Sequence, residues 1–132
     1  VTDYTRETVI EEKGATVLNE VGVDDENLEI VREGMRLVAQ SGGTASDFAN
    51  YGVEIGAKTG TAQVDHHSDN VTFIAFAPYD EPEIAIAVVL EHGCSGTYSK
   101  NIARDMLNAY FYDAYVDEDG EIVVPSAADS LE

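Results

Sequence analysis

Val71-Thr72-Phe73-Ile74-Ala75-Phe76-Ala77, a reversal at Pro78-Tyr79-Asp80-Glu81-Pro82, and then Ile84-Ala85-Ile86-Ala87-Val88-Val89-Leu90 form the stretch on which the fold turns. Both apolar runs have strand length and favour β-branched and aromatic residues. Neither alternates apolar with polar, so each is expected as a strand covered on both faces, the first as a central strand. Upstream, a further strand is expected over about Val53 to Val64. Its Gly56 and Gly60 weaken it and predict a close approach by another backbone or a ligand. The polar run Asp65-His66-His67-Ser68-Asp69-Asn70 supplies the turn between the first two strands.

Helices flank this core on both sides. Asp24, Asp25 and Asn27 offer N-caps and favourable negative charge for a helix whose apolar face is Leu28, Val31, Met35 and Val38. Gly42-Gly43 ends that helix, and Thr44 to Asn50 is a polar connection. After the break at Gly93 to Gly96, Ser99 is expected to cap a helix that buries Ile102, Ala103, Met106, Leu107 and Tyr110. Thr8-Val9-Ile10 and Thr16-Val17-Leu18, around Glu12-Lys13-Gly14, predict a hairpin, and Ile122-Val123-Val124 an edge strand. The fold class is α+β, an antiparallel sheet packed against helices.

With 132 residues the chain suits one domain or a piece of one. Twenty-six acidic against seven basic residues leave a net charge of −19. That charge argues against nucleic acid as a partner, since phosphate backbones demand clustered Lys and Arg; a solvated, soluble surface is its simplest meaning. The single cysteine, Cys94, excludes an internal disulfide and a multi-cysteine zinc site. No apolar run reaches the roughly 18 residues of a spanning helix. The opening Val1-Thr2-Asp3-Tyr4 has neither a signal peptide nor an initiator Met, which fits an excised piece or a processed chain.

Lys58-Thr59-Gly60 is a Lys-Thr-Gly triplet, one of three signature elements of the serine β-lactamases and penicillin-binding proteins. The nucleophile of that chemistry sits in Ser-x-x-Lys. Here the three lysines, Lys13, Lys58 and Lys100, are preceded three residues earlier by Ile10, Ile55 and Thr97. The sequence therefore reads as one wall of an active site whose nucleophile lies on another stretch of polypeptide.

The wider context carries a resemblance. Lys58-Thr59-Gly60-Thr61-Ala62-Gln63, then Thr72 to Tyr79, then Pro82 to Gly93, closely resemble the C-terminal part of the transpeptidase domain of class B penicillin-binding proteins, the elongation-type enzymes especially. Val31-Arg32-Glu33-Gly34-Met35 and Gly43-Thr44-Ala45 look like that family's preceding helix and connection, and Asn101 to Phe111 like its final helix. The likeness covers roughly residues 5 to 115. It implies residues 1–115 as the C-terminal part of a transpeptidase domain, with 116–132 an acidic tail.

The resemblance implies acyl transfer between peptidoglycan stem peptides: a serine attacks the D-Ala-D-Ala carbonyl, D-alanine leaves, and a neighbouring amine takes the acyl group. β-Lactams mimic the donor. Lys58 would face the substrate carboxylate and assist proton traffic, the hydroxyls of Thr59 and Thr61 would bind that carboxylate, and the Thr61 N–H would form half of an oxyanion hole. Alternation along a strand puts Lys58 and Gly60 on one face and both threonines on the other. Gly60 would leave room for substrate backbone. No metal or organic cofactor is expected. The intact protein would be anchored in a bacterial membrane and face outside the cytoplasm. This chain alone is expected to be inactive, to need the N-terminal part of its domain, and to self-associate through the surface left bare. The alternative is a non-catalytic β-lactam sensor or scaffolding module of the same fold. A free-standing acidic binding module and a serine β-lactamase fit the long match less well.

Several motifs are decoys. Ser68-Asp69-Asn70 matches a Ser-x-Asn element by letter but follows Lys-Thr-Gly, and reads as a turn. Asp65, His66, His67, Asp69, His92 and Cys94 lack zinc spacing, and a solvated loop is expected. His92 lies on the same side as Cys94 if the chain is extended there, yet a strand end is the expected role. Asp117-Glu118-Asp119-Gly120-Glu121-Ile122 resembles an EF-hand centre, but Tyr115 and Ser126 stand where carboxylates are required. Met35 and Met106 are expected in the core, and Tyr79, Tyr98 and Tyr110 in packing roles.

Overall fold

The computed structural model describes residues 17, 20 and 22–124. Three strands run consecutively: β1 (Gly56–Ala62), β2 (Asn70–Ala77) and β3 (Ile84–Leu90). They form an antiparallel sheet in the order β1-β2-β3, so the expected meander is present and β2 is central. Helix α1 (Asp25–Ala39) precedes the sheet and α2 (Gly96–Phe111) follows it. A 3-10 turn at Ser46–Phe48 lies between α1 and β1, and a small ladder of β4 (Tyr115–Val116) and β5 (Ile122–Val123) comes last. The expected hairpin over residues 8–18 falls outside the described residues, apart from Val17.

Register separates the sheet into two faces. Thr59 pairs with Phe73 and Phe73 with Val88, while Lys58 pairs with Ile74 and Ile74 with Ala87. On the first face Ala57, Phe73, Ala75, Ala77, Ile86 and Val88 are buried and join one cluster with Ala103 and Leu107 of α2 and Phe48 of the 3-10 turn. On the second face Ile74 is 46% exposed and Val89 66%. Met35 of α1 covers part of that face, walling a crevice of about 330 Å³ with Ile74, Phe76, Ala85 and Ala87. The expectation of strands covered on both faces is thus met in full on one face and only in part on the other. Apolar residues occupy the second face with no second layer over Ile74 and Val89 among the described residues.

The helices depart from expectation in the same way. Of the predicted apolar face of α1, Leu28 and Val31 are more than half exposed, while Ala39 at the far end is buried. In α2, Ala103 and Leu107 are buried, but Ile102, Met106 and Tyr110 are exposed, so the stripe is narrower than predicted and Met106 is not core. Tyr79 is buried, whereas Tyr98 is exposed. The start of α2 lies a turn earlier than expected. Ser95 is the cap, its hydroxyl accepting from Thr97 N at 3.3 Å, and Ser99 is buried within the first turns, donating to Gly96 O at 3.0 Å. A serine inside a helix bonds back to its preceding turn, which its sequence position alone does not reveal.

Candidate active site

Lys58, Thr59, Gly60 and Thr61 stand in succession on β1, whose outer edge has no strand partner among the described residues. An edge strand offers backbone N–H and C=O groups to an extended ligand chain. Thr59 lies on the core face and is half-buried, while Thr61, two residues on, is exposed. Lys58 points to the other face, but its ammonium returns to the strand and donates to Thr59 O at 2.6 Å. The charge therefore sits beside the strand.

The glycines of β1 are not left open for a ligand. A Cβ on Gly60 would collide with Thr72 Oγ1, and one on Gly56 with the Phe76 ring. Both close approaches come from side chains of the neighbouring strand, which differs from the backbone or ligand approach expected of them. Thr72 follows from the register, which sets it opposite Gly60.

Thr44 joins the site from outside the strand. Its hydroxyl lies 2.8 Å from that of Thr59. The connection carrying it is pinned on both sides, by Gly43 N donating to Gln40 O at 2.9 Å and Ala45 N donating to Val38 O at 2.9 Å. Ala45 is completely buried. Sequence reasoning placed Thr44 in a connection and gave it no role; a polar residue between a helix-ending glycine and a buried alanine was the signal available.

An ion-pair cluster fixes α1 against the segment leading into β1. Arg36 grips both oxygens of Glu33 at 2.7 Å and reaches Glu54 at 3.1 Å. The Arg36 guanidinium holds the Glu33 carboxyl below the usual carboxylate range. Arg32 donates to Tyr79 O at 2.7 Å and lies over the Tyr79 ring. Near the 3-10 turn, the ammonium of Lys100 hydrogen-bonds Asp47 and lowers its pKa.

At the other end of β1 two loops meet. His92 N donates to Asn70 Oδ1 at 2.9 Å, His92 Nδ1 lies 3.1 Å from Ser68 O, and Cys94 Sγ donates to Ser68 Oγ at 3.1 Å. The His67 and His92 rings stand 4.8 Å apart. His92 and Cys94 both have positive φ, so the stretch is not extended and does not align imidazole with thiol as an extended chain would. The imidazole is engaged by Ser68, and no group of three or more metal-ligating side chains occurs among the described residues. Asp117 Oδ1 likewise accepts from Asp119 N and Glu121 N, a turn in place of an ion loop. No described helix is long and apolar enough to cross a membrane.

Comparison with known proteins places this arrangement. The penicillin binding protein transpeptidase domain matches residues 2–108. Penicillin-binding protein 2B of Streptococcus pneumoniae is 34% identical over 112 residues, 77% of this chain and 16% of that protein. Peptidoglycan D,D-transpeptidase MrdA of Escherichia coli is 35% identical over 97 residues, 61% of this chain and 15% of that one. The crystal structure of Pseudomonas aeruginosa PBP2 in complex with WCK 5153 superposes with a TM-score of 0.60 at 34% identity, covering 79% of this chain and 22% of that one. The chain thus spans about a sixth of the length of the first of these relatives. The resemblance drawn from Lys58 to Gly93 is borne out along most of the sequence, and the chain belongs to the transpeptidase family of penicillin-binding proteins.

Proposed function

We propose that this chain is the Lys-Thr-Gly wall of a peptidoglycan D,D-transpeptidase whose serine lies on polypeptide outside these 132 residues. The observation that carries the reading is Lys58-Thr59-Gly60-Thr61 on an open strand edge, in a chain without Ser-x-x-Lys. An extended stem peptide ending in D-Ala-D-Ala, or a β-lactam in its place, lies along that edge. Its terminal carboxylate takes charge-assisted hydrogen bonds from the hydroxyls of Thr59 and Thr61, with the Lys58 ammonium beside them. Gly60 contributes backbone, its side-chain space being filled by Thr72. The Thr61 N–H supplies one of two donors to the oxyanion, a contribution of about 10²–10³ in rate in comparable sites.

The apolar face bearing Ile74 and Val89 receives the N-terminal part of the same domain, and a serine carried there meets Lys58 from the side its stem occupies. Residues 1–115 form one portion of the domain, with 116–132 as an acidic tail. The whole protein works at the outer face of a bacterial membrane and needs no metal or organic cofactor. In the full-length product, Lys58→Ala lowers the rate of acylation by fluorescent penicillin by at least a hundredfold, and Thr61→Val by roughly tenfold. Wild-type rates in both variants would remove β1 from the site.

A further inference from the structure

We infer that Thr44 is a positioning residue for the anion-binding hydroxyl of Thr59, setting the direction in which that hydroxyl donates. The inference rests on the reading of β1 as the carboxylate-binding strand. A threonine hydroxyl has one proton and two acceptor lone pairs. The 2.8 Å contact between Thr44 and Thr59 needs one proton from one of the two oxygens, and the geometry allows either. Once Thr59 gives its only proton to a carboxylate, the contact survives only with Thr44 as donor. The result is a relay of fixed polarity: Thr44 O–H donates to Thr59 Oγ1, and Thr59 O–H donates to the anion. Each bond in such a chain polarises the next. No proton is transferred and no bond to carbon changes.

The fold holds Thr44 in place for this role. Gly43 packs so tightly on the last turn of α1 that a Cβ there would collide with Val38 O. Ala45 is completely buried and bonded to the same carbonyl. Ser46 N then donates to Gly43 O at 3.2 Å and Phe48 N to Ala45 O at 3.0 Å, closing the connection into the 3-10 turn. Thr44 is itself exposed, so its side chain adds little to the core. A residue fixed in backbone yet free of packing duty, with its one polar group on Thr59, is suited to orientation.

The test is a set of substitutions in the full-length product: Thr44→Val, Thr44→Ser, Thr59→Val and the double variant Thr44→Val/Thr59→Val. The second-order rate of acylation by fluorescent penicillin is measured for each, with the melting temperature alongside. The expected result is a roughly three- to tenfold loss for Thr44→Val, the worth of one hydrogen bond, at an unchanged melting temperature. Thr44→Ser, which keeps the hydroxyl, stays within about twofold of wild type. In the Thr59→Val background, Thr44→Val costs nothing further, because its route to the ligand is already gone. A wild-type rate for Thr44→Val overturns the inference, as does an equal loss with and without Thr59. A loss that Thr44→Ser fails to rescue also overturns it, assigning Thr44 to structure. A wild-type product that never labels overturns the acyl-transfer reading itself, and this inference with it.

Discussion

Gly43 shows how a single missing atom places a site. Its Cβ position lies against Val38 O and Leu37 O, backbone atoms that cannot yield cheaply. Gly43→Ala is therefore expected to cost about 1–3 kcal/mol in urea unfolding, the range of overpacked cores. A neutral result would mean that the connection relaxes away from α1. Tyr51 makes a second prediction. Burial first, then the neighbouring Tyr112 hydroxyl, pushes its pKa up to about 12, and its hydroxyl donates to Asn108 Oδ1 at 2.9 Å. A raised pKa means the folded protein holds this proton more tightly than the unfolded chain does. The stabilisation is complete below the ordinary tyrosine value of 10.0 and is lost as pH rises from there through about 12. Melting curves from pH 8 to 12 should fall less steeply for Tyr51→Phe than for wild type; parallel curves would refute this. The Thr44–Thr59 pair belongs to the same scale, and the sequence could not show it. Nothing in Gly43-Thr44-Ala45 states that a loop 15 residues upstream folds back onto β1.

The elements divide into those that local pattern determines and those that their neighbours determine. Strands β2 and β3 were legible because their apolar runs and the Pro78-to-Pro82 reversal are local signals; β3 spans Ile84–Leu90 as predicted. Burial was less legible, since a run of apolar residues reads the same whether one face is covered or two. Phe73 and Ile74 make the difference measurable. Phe73 is fully buried between the sheet and α2, and Ile74 is 46% exposed on the opposite face. In the 132-residue chain, Phe73→Ala is expected to cost about 3–5 kcal/mol. Ile74→Ala should cost under about 1 kcal/mol there, but more in the full-length product if, as proposed, the rest of the domain docks over it. Equal costs for Ile74→Ala in both contexts would mean that nothing docks on this face. The same bare face predicts self-association of the short chain, read as oligomers by sedimentation and reversed to monomer by Val89→Glu. A monomeric wild-type chain would contradict that.

At the scale of the molecule, 26 acidic residues, offset by only seven basic ones, repel one another over a small surface. Few are neutralised locally: among the described residues the ion pairs involve Arg32, Arg36 and Lys100. Salt screens exposed charges beyond about 10 Å at 0.1 M. Raising sodium chloride toward about 0.5 M should therefore raise the melting temperature. A fall would mean that the few ion pairs outweigh the general repulsion. Net charge argued against nucleic acid as a partner but said nothing of chemistry; the Lys-Thr-Gly strand in its long context carried that. On the proposed reading, the missing Ser-x-x-Lys divides the active site between this chain and another stretch. Fluorescent-penicillin labelling of the full-length product beside the 132-residue chain tests that division most directly. The predicted result is a covalent adduct on the full product alone, mapped by mass spectrometry to a serine outside these residues. An adduct on the short chain itself would contradict it and place a nucleophile within this sequence.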